Sequence, residues 1–243
     1  MFSLSGRVIV ITGGAGLLGR RHAEAILSVG GTPVLWDIDQ PKLDESLEYL
    51  REKTGIDVDA TEVDITSETE VISAARLLRE NYGAVYGLVN NAANNPKQEK
   101  DGITSSSRLE NFSLSQWNAD LSVGLTGAFL CAKHLGPIMF SSEDGGSIVN
   151  VSSDLGLIAP DQSLYEVQGN AWDAQPVKPV SYSAVKAGLI GLTRFLATYW
   201  PRGHIRCNAL CPGGIEAGQD EIFLERVSRL IPMRRLAKAD EYQ

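Results

Sequence analysis

The stretch Arg7–Gly19, RVIVITGGAGLLG, constrains this chain more than any other. Val8–Ile11 is a short apolar run rich in β-branched residues, the pattern of a strand buried on both faces. Thr12 and Gly13 close it, and Gly13, Gly16 and Gly19 recur at three-residue spacing. From Leu17 the pattern turns helical, with Leu17, Leu18, Ala23, Ile26 and Leu27 on one side of a helix that runs to about Val29. Strand, glycine turn and helix N-terminus together suit a dinucleotide. The glycines let backbone approach a pyrophosphate, and the unpaired N–H groups of the helix face its charge. Glycines alone fit a bland turn equally well. Asp37 tips the balance: it ends the next apolar run, Val34–Trp36, at the distance where a carboxylate accepts ribose hydroxyls.

Beyond Asp37 the same alternation continues. Residues 40–53 read as a polar helix and Val58–Val63 as a third strand ending at Asp64. Ser67 followed by Glu70 has the spacing of a capping box at the start of the next helix. Val85–Val89 is a fourth strand leading into Asn90, Asn91, Ala92 and Ala93, and residues 94–113 form a polar loop. A long helix is expected from Ser115 to about Phe140, a fifth strand at Gly146–Val151 and a second long loop at 156–179. Val180–Trp200 reads as an apolar helix and Ile205–Leu210 as a sixth strand, followed by Pro212, Gly213 and Gly214. Strands alternating with helices predict an α/β fold: one domain over residues 1–243, a doubly wound parallel sheet with helices on both faces.

Composition narrows the function. A net charge of −8 argues against nucleic acid, whose binders carry a basic footprint, and leaves an anionic small molecule open. Cys131, Cys207 and Cys211 are odd in number and lack metal-ligand spacing, so reduced thiols, a cytoplasmic location and no metal site are expected. No apolar run reaches the length of a membrane span, and the N-terminus leads straight into the glycine loop without the shape of a signal peptide.

Tyr182 and Lys186 stand at i and i+4, on one helix face. An ammonium beside a phenol favours phenolate and would draw the tyrosine pKa towards neutrality, so that it could exchange a proton with an alcohol or carbonyl. The spacing by itself is not diagnostic. Tyr49 and Lys53 repeat it on the polar helix, where a solvated pair is expected. What distinguishes the second pair is Ser153, at the carboxyl end of the fifth strand, where open α/β sheets hold ligands; a turn or capping serine is the alternative there.

On these residues the chain resembles the short-chain dehydrogenase/reductase family over nearly its whole length. The matching pieces are TGGAGLLG at 12–19, Asp37, Asp64-Ile65, NNAA at 90–93, NVSS at 150–153, YSAVK at 182–186 and NALCPGGI at 208–215. The resemblance implies a single-domain Rossmann fold, a nicotinamide cofactor and oxidoreduction of a secondary alcohol or ketone. By position, Gly13, Gly16, Leu17 and Leu18 would meet the pyrophosphate and Asp37 the adenosine ribose. Asp64 and Ile65 would flank adenine, and Asn91, Ala92 and Ala93 would line the cofactor cleft. Lys186 would hold the nicotinamide ribose, with Pro212, Gly213 and Ile215 at the carboxamide. Ser153, Tyr182 and Lys186 would be catalytic. Asp37 would repel a 2′-phosphate, and no basic residue lies between Gly13 and Gly19, so NAD is favoured over NADP. A homodimer or homotetramer is implied, with small residues such as Gly124, Gly127, Ala184, Ala187, Gly188 and Gly191 on helix contact faces; a buried role within one chain is the alternative for each.

Four departures accompany the resemblance. Leu17 stands at the middle glycine position of most single-domain members, giving TGxxGxxG. In WNADLSVGLTGAF the family's catalytic asparagine falls at Gly124. Ser153 and Tyr182 are 29 residues apart (182 − 153), and the insertion at about 164–179 is expected to form a substrate-side lid. Family members continue beyond the position of Gln243 through a further helix and strand, so a missing tail is expected. TGGAGLLGR with APDQ at 159–162 is similar to a bacterial subgroup linked to surface-sugar and flagellin-glycan synthesis, which implies a sugar-like, hydroxylated substrate. Two other functions fit the same residues: an NAD-retaining epimerase or dehydratase, as among larger TGxxGxxG relatives, and a non-catalytic NAD(H)-binding protein, which Gly124 would suit.

Overall fold

The computed structural model describes residues 3–94 and 105–242. Six strands form one parallel sheet in the order β3-β2-β1-β4-β5-β6. They are β1 (Val8–Thr12), β2 (Thr32–Asp37), β3 (Asp59–Glu62), β4 (Gly87–Asn90), β5 (Gly146–Val151) and β6 (Ile205–Leu210). The order reverses between β1 and β4, so the chain winds outwards in both directions from β1, and ligands of open α/β sheets bind at such a reversal.

Every residue of β1 is buried because the pleat sends alternate side chains into two different cores. Ile9 and Ile11 face Leu35, Leu43 and Leu50 beneath α1 (Leu17–Ser28) and α2 (Gln40–Thr54). Val8 and Val10 face Trp36, Leu88, Leu135 and Ile148 beneath α3 (Glu68–Tyr82), the helical run Leu114–Phe140 and α6 (Val180–Tyr199). The sheet is thus covered on both faces, as the apolar strand runs require.

Three differences from expectation have local causes. Ser67 does cap α3, but Glu70 reaches past it to the Asp64 N–H at 2.9 Å, tying the helix start to the end of β3. The expected helix from Ser115 to Phe140 consists of α4 (Leu114–Leu121) and α5 (Gly127–Phe140), joined by a π-helical turn at Ser122–Thr126. Its combined length of 27 residues and mean hydropathy of 1.3 would suffice to cross a membrane, contrary to the sequence reading; here half of that apolar window is buried in the protein, as for a core helix. The loop expected at 156–179 folds into short 3₁₀ turns at Gln162–Tyr165 and Trp172–Ala174. Of the loop expected at 94–113, residues 95–104 lie outside the described part.

Small residues on the long helices serve contacts within the chain. A Cβ at Gly127 would stand 2.5 Å from Ile65, and one at Gly188 2.9 Å from Leu125. Ala187 and Gly191 lie on the open side of α6, together with exposed Phe195 and Tyr199, while Ala184 is half-buried. The chain ends in α7 (Glu221–Leu230) and a short turn at Ala239–Tyr242, which packs on α1.

Candidate active site

A cleft of about 330 Å³ opens at the carboxyl ends of β1, β2 and β4. Gly13, Gly16, Leu17, Leu18, Asp37, Asp64, Ile65, Asn91, Ala92 and Ala93 all line it, joined by Trp36, Ile38, Val63 and Val123. Gly13 has φ +64°, and a Cβ there would lie 2.9 Å from the Ala92 Cα, so both the turn and the close approach of the next strand's loop need glycine. Asn91 holds that loop down: its Nδ2 donates to the Thr12 and Gly13 carbonyls, each at 3.1 Å. The Asp37 carboxylate accepts from the Ala15 N–H at 3.0 Å and the Asp39 N–H at 3.2 Å. Each oxygen keeps a lone pair for a further donor. Concave backbone at a helix N-terminus, with a fixed carboxylate at the far edge, fits the pyrophosphate and adenosine ribose of a dinucleotide.

The proton-handling groups gather where β5 and β6 end. Gly156 makes the approach possible: a Cβ there would lie 2.8 Å from the Lys186 carbonyl carbon, so the turn carrying Ser153 can rest against α6. Ser153 stands beside Tyr182, where its hydroxyl favours the phenolate form. The Ser153 hydroxyl donates its single proton to the Asp154 Oδ1 at 2.8 Å. Lys186 donates to the Val151 carbonyl at 2.8 Å, and its Nζ lies 5.8 Å from the Tyr182 ring centre.

These surroundings correct one expectation. The Tyr182 pKa is not drawn towards neutrality but held above its ordinary value, chiefly by burial, with Asp154 adding to the rise and Ser153 opposing it. Burial, aided by repulsion from Lys178, instead pushes Lys186 down to about 8. In this state the phenol keeps its proton at neutral pH and stands as a donor.

The insertion is a stapled structure, not a slack loop. Arg226 on α7 donates to the carbonyls of Ser163, Leu164 and Glu166, at 3.3, 3.4 and 2.6 Å. Arg108 donates to the Trp172 carbonyl at 2.9 Å and lies 4.2 Å over the indole. Gln175 closes the middle by bonding both the N–H and C=O of Val167. The insertion ends at Lys178, whose Nζ sits 3.8 Å from the Tyr182 ring centre.

Pro212, Gly213 and Ile215 do not line the cleft of the glycine turn. They follow β6 beside Asp154, where the Pro212 carbonyl accepts the Asp154 N–H at 2.9 Å and the Gly213 N–H donates to the Tyr242 hydroxyl at 3.0 Å. Gly124 packs on α6: a Cβ there would fall 2.5 Å from Val185 Cγ1, so Val185 occupies the room an asparagine side chain would need. The Tyr49–Lys53 pair keeps Lys53 partly in water but is tied to the protein rather than free in solvent. Both bond the buried Glu24 carboxylate, at 2.8 and 2.6 Å. Sequence reasoning missed Asp154, Lys178 and Tyr242. It also missed buried Asp120, which accepts from Asn94, Gln116 and Ser181 and so ties the cofactor-side loop to the start of α6. No local sequence pattern marks any of the four, because each acquires its role through contacts made on folding.

Comparison with known proteins gives the same picture over the whole chain. The family model described as Enoyl-(Acyl carrier protein) reductase matches residues 14–243. The uncharacterized oxidoreductase YxbG of Bacillus subtilis is 30% identical over 99% of this chain and 83% of that protein. The short chain dehydrogenase/reductase dpchG of Colletotrichum higginsianum is 31% identical over 86% of this chain and 69% of its own length. Among solved structures, levodione reductase superposes with a TM-score of 0.80 and 26% identity, covering 98% of this chain and 88% of that one.

Proposed function

This chain belongs to the short-chain dehydrogenase/reductase family, an oxidoreductase family with a nicotinamide cofactor, and on that premise we propose that it interconverts a secondary alcohol and a ketone with NAD(H). The observation that carries the reading is the convergence of Ser153, Tyr182 and Lys186 at the sheet's carboxyl edge, beside the glycine cleft.

Gly13, Gly16, Leu17 and Leu18 would hold the pyrophosphate, Asp37 the adenosine ribose, Asp64 and Ile65 the adenine, and Asn91 to Ala93 the cleft wall. Pro212, Gly213 and Ile215 would meet the carboxamide. When bound, the nicotinamide supplies or accepts the hydride. Tyr182 gives its proton to the substrate oxygen in reduction and takes it back in oxidation. Ser153 orients that oxygen once its hydroxyl turns from Asp154. Lys186 holds the nicotinamide ribose and adds positive charge beside the phenol. The carboxylate of Asp37 favours NAD over NADP, because a 2′-phosphate beside it would meet like charge.

A hydroxylated, sugar-like substrate suits the polar segments around the insertion, which we read as a lid. We assign the protein to the cytoplasm as a homodimer or homotetramer; exposed Phe129 on α5 and exposed Phe195 and Tyr199 on α6 supply an apolar contact face. Thermal unfolding with NAD and NADP tests the cofactor reading. Ligand at about 100 times its Kd should stabilise by about 2.7 kcal/mol. NAD should do so at far lower concentration than NADP, and Asp37→Ser should narrow the gap. Equal shifts with both nucleotides in the wild type would refute the assignment.

A further inference from the structure

We propose that Lys178 is the substrate-recognition cation of this cleft, and that the substrate carries an anionic group, carboxylate or phosphate, within reach of Tyr182. The proposal rests on the oxidoreductase reading and names its substrate class.

Lys178 borders a second cavity, of about 320 Å³, whose polar lining includes Ser107, Gln162 and Ser183. Its ammonium lies 3.8 Å from the Tyr182 ring centre, so whatever it holds is close to the reacting oxygen. Its backbone is fixed on both sides. The Lys178 N–H donates to Gln162 Oε1 at 2.8 Å, the Val177 N–H donates to Ser107 Oγ at 3.1 Å, and Pro179 caps α6 immediately after. This is a placed cation rather than a wandering surface lysine.

Among the described residues no carboxylate pairs with Lys178 and no acceptor takes its protons. Burial disfavours its charged form, and Asp154 is the carboxylate that offsets this from a distance. Asp154, however, is already engaged by the Ser153 hydroxyl and the Leu155 N–H, both at 2.8 Å. Lys186 faces the same phenol from 5.8 Å and adds a second positive charge. A half-buried ammonium is costly unless charge and hydrogen-bond acceptors are supplied to it. An anionic substrate group supplies both. The contrast with a net charge of −8 strengthens the point: a protein that repels anions at its surface concentrates two cations around its proposed proton donor.

The test is calorimetric titration of the NAD-loaded wild type, Lys178→Met and Lys178→Arg with two matched probe pairs: D-gluconate against D-glucitol, and D-glucose 6-phosphate against D-glucose. At least one anion should bind the wild type at least about tenfold more tightly than its neutral partner, and Lys178→Met should shrink that preference to about twofold or less. Lys178→Arg should retain most of it. Which anion is preferred separates carboxylate from phosphate. Equal binding of anion and neutral partner in both pairs, or a preference that survives Lys178→Met, overturns the proposal. So does a loss of turnover in Lys178→Met with the binding preference intact, which would make Lys178 a tuner of Tyr182. NAD-induced stabilisation, measured first on each sample, keeps the two readings apart: its absence in the wild type defeats the oxidoreductase reading, and its presence without anion preference defeats this inference alone.

Discussion

Tyr49 with Lys53 and Tyr182 with Lys186 share one spacing in one chain, and their surroundings give them opposite characters. On α2 the tyrosine and lysine turn inward onto Glu24, which also takes Arg21 at 2.8 Å. The carboxylate takes a donor from each and welds α2 to α1. On α6 the lysine is spent on a backbone carbonyl, while the tyrosine stands beside Ser153 and under the Lys178 ammonium. The lysines diverge accordingly: Lys53 is raised by its hydrogen bond to Glu24, and Lys186 is lowered by burial. A shared motif becomes a strut or a reaction centre according to whether a counter-charge closes it.

Exchanging the lysines breaks the comparison most sharply. Lys186→Met should lower turnover about a hundredfold or more, the scale of a lost acid–base partner, while Lys53→Met leaves turnover unchanged. Steady-state kinetics on both variants checks this. Next in size is Glu24→Gln, which strips the strut of its anion. Chemical denaturation should show a loss of about 2 kcal/mol, below the range for fully buried pairs because Lys53 still reaches water. Among the described residues no carboxylate pairs with Lys186.

Gly124→Asn probes the packing beneath the reactive pair. With Val185 Cγ1 only 2.5 Å from the added Cβ, overpacking should cost about 1–3 kcal/mol, and Val185→Ala in the same chain should recover most of it. Additive losses in the double variant would contradict the contact. The smallest effect is one of sign. Lys186 titrates near 8 in the folded protein against an ordinary 10.5, so the folded state sheds that proton first and its contribution to stability rises with pH across this window. Lys53 contributes stability below its ordinary pKa and loses it as pH climbs through its raised one. Thermal melts of the two methionine variants against wild type should therefore diverge in opposite directions as pH increases.

The glycine cradle was legible because backbone geometry dictates it: Gly13, Gly16 and Asp37 lie where a tight turn and a strand end must put them. β5 and β6 were readable residue for residue from their apolar runs. Contacts between distant parts of the chain were not. Glu24 lies 25 residues from Tyr49, and nothing local announces their meeting. Lys178 acquires its position over Tyr182 only through the stapled insertion, and Asp154 accepts the Ser153 proton only once the turn folds. The raised pKa of Tyr182 likewise follows from burial, which spacing cannot report. The close packing of Gly124 on Val185 joins residues of two helices that sequence spacing does not connect.

The most direct measurement compares NAD-dependent turnover of Tyr182→Phe and Tyr49→Phe over one panel of secondary alcohols and ketones. Tyr182→Phe should fall at least about a hundredfold with NAD-induced stabilisation intact, while Tyr49→Phe keeps wild-type turnover and loses about 1 kcal/mol of stability. Turnover preserved in Tyr182→Phe would contradict the assignment of the proton to that phenol.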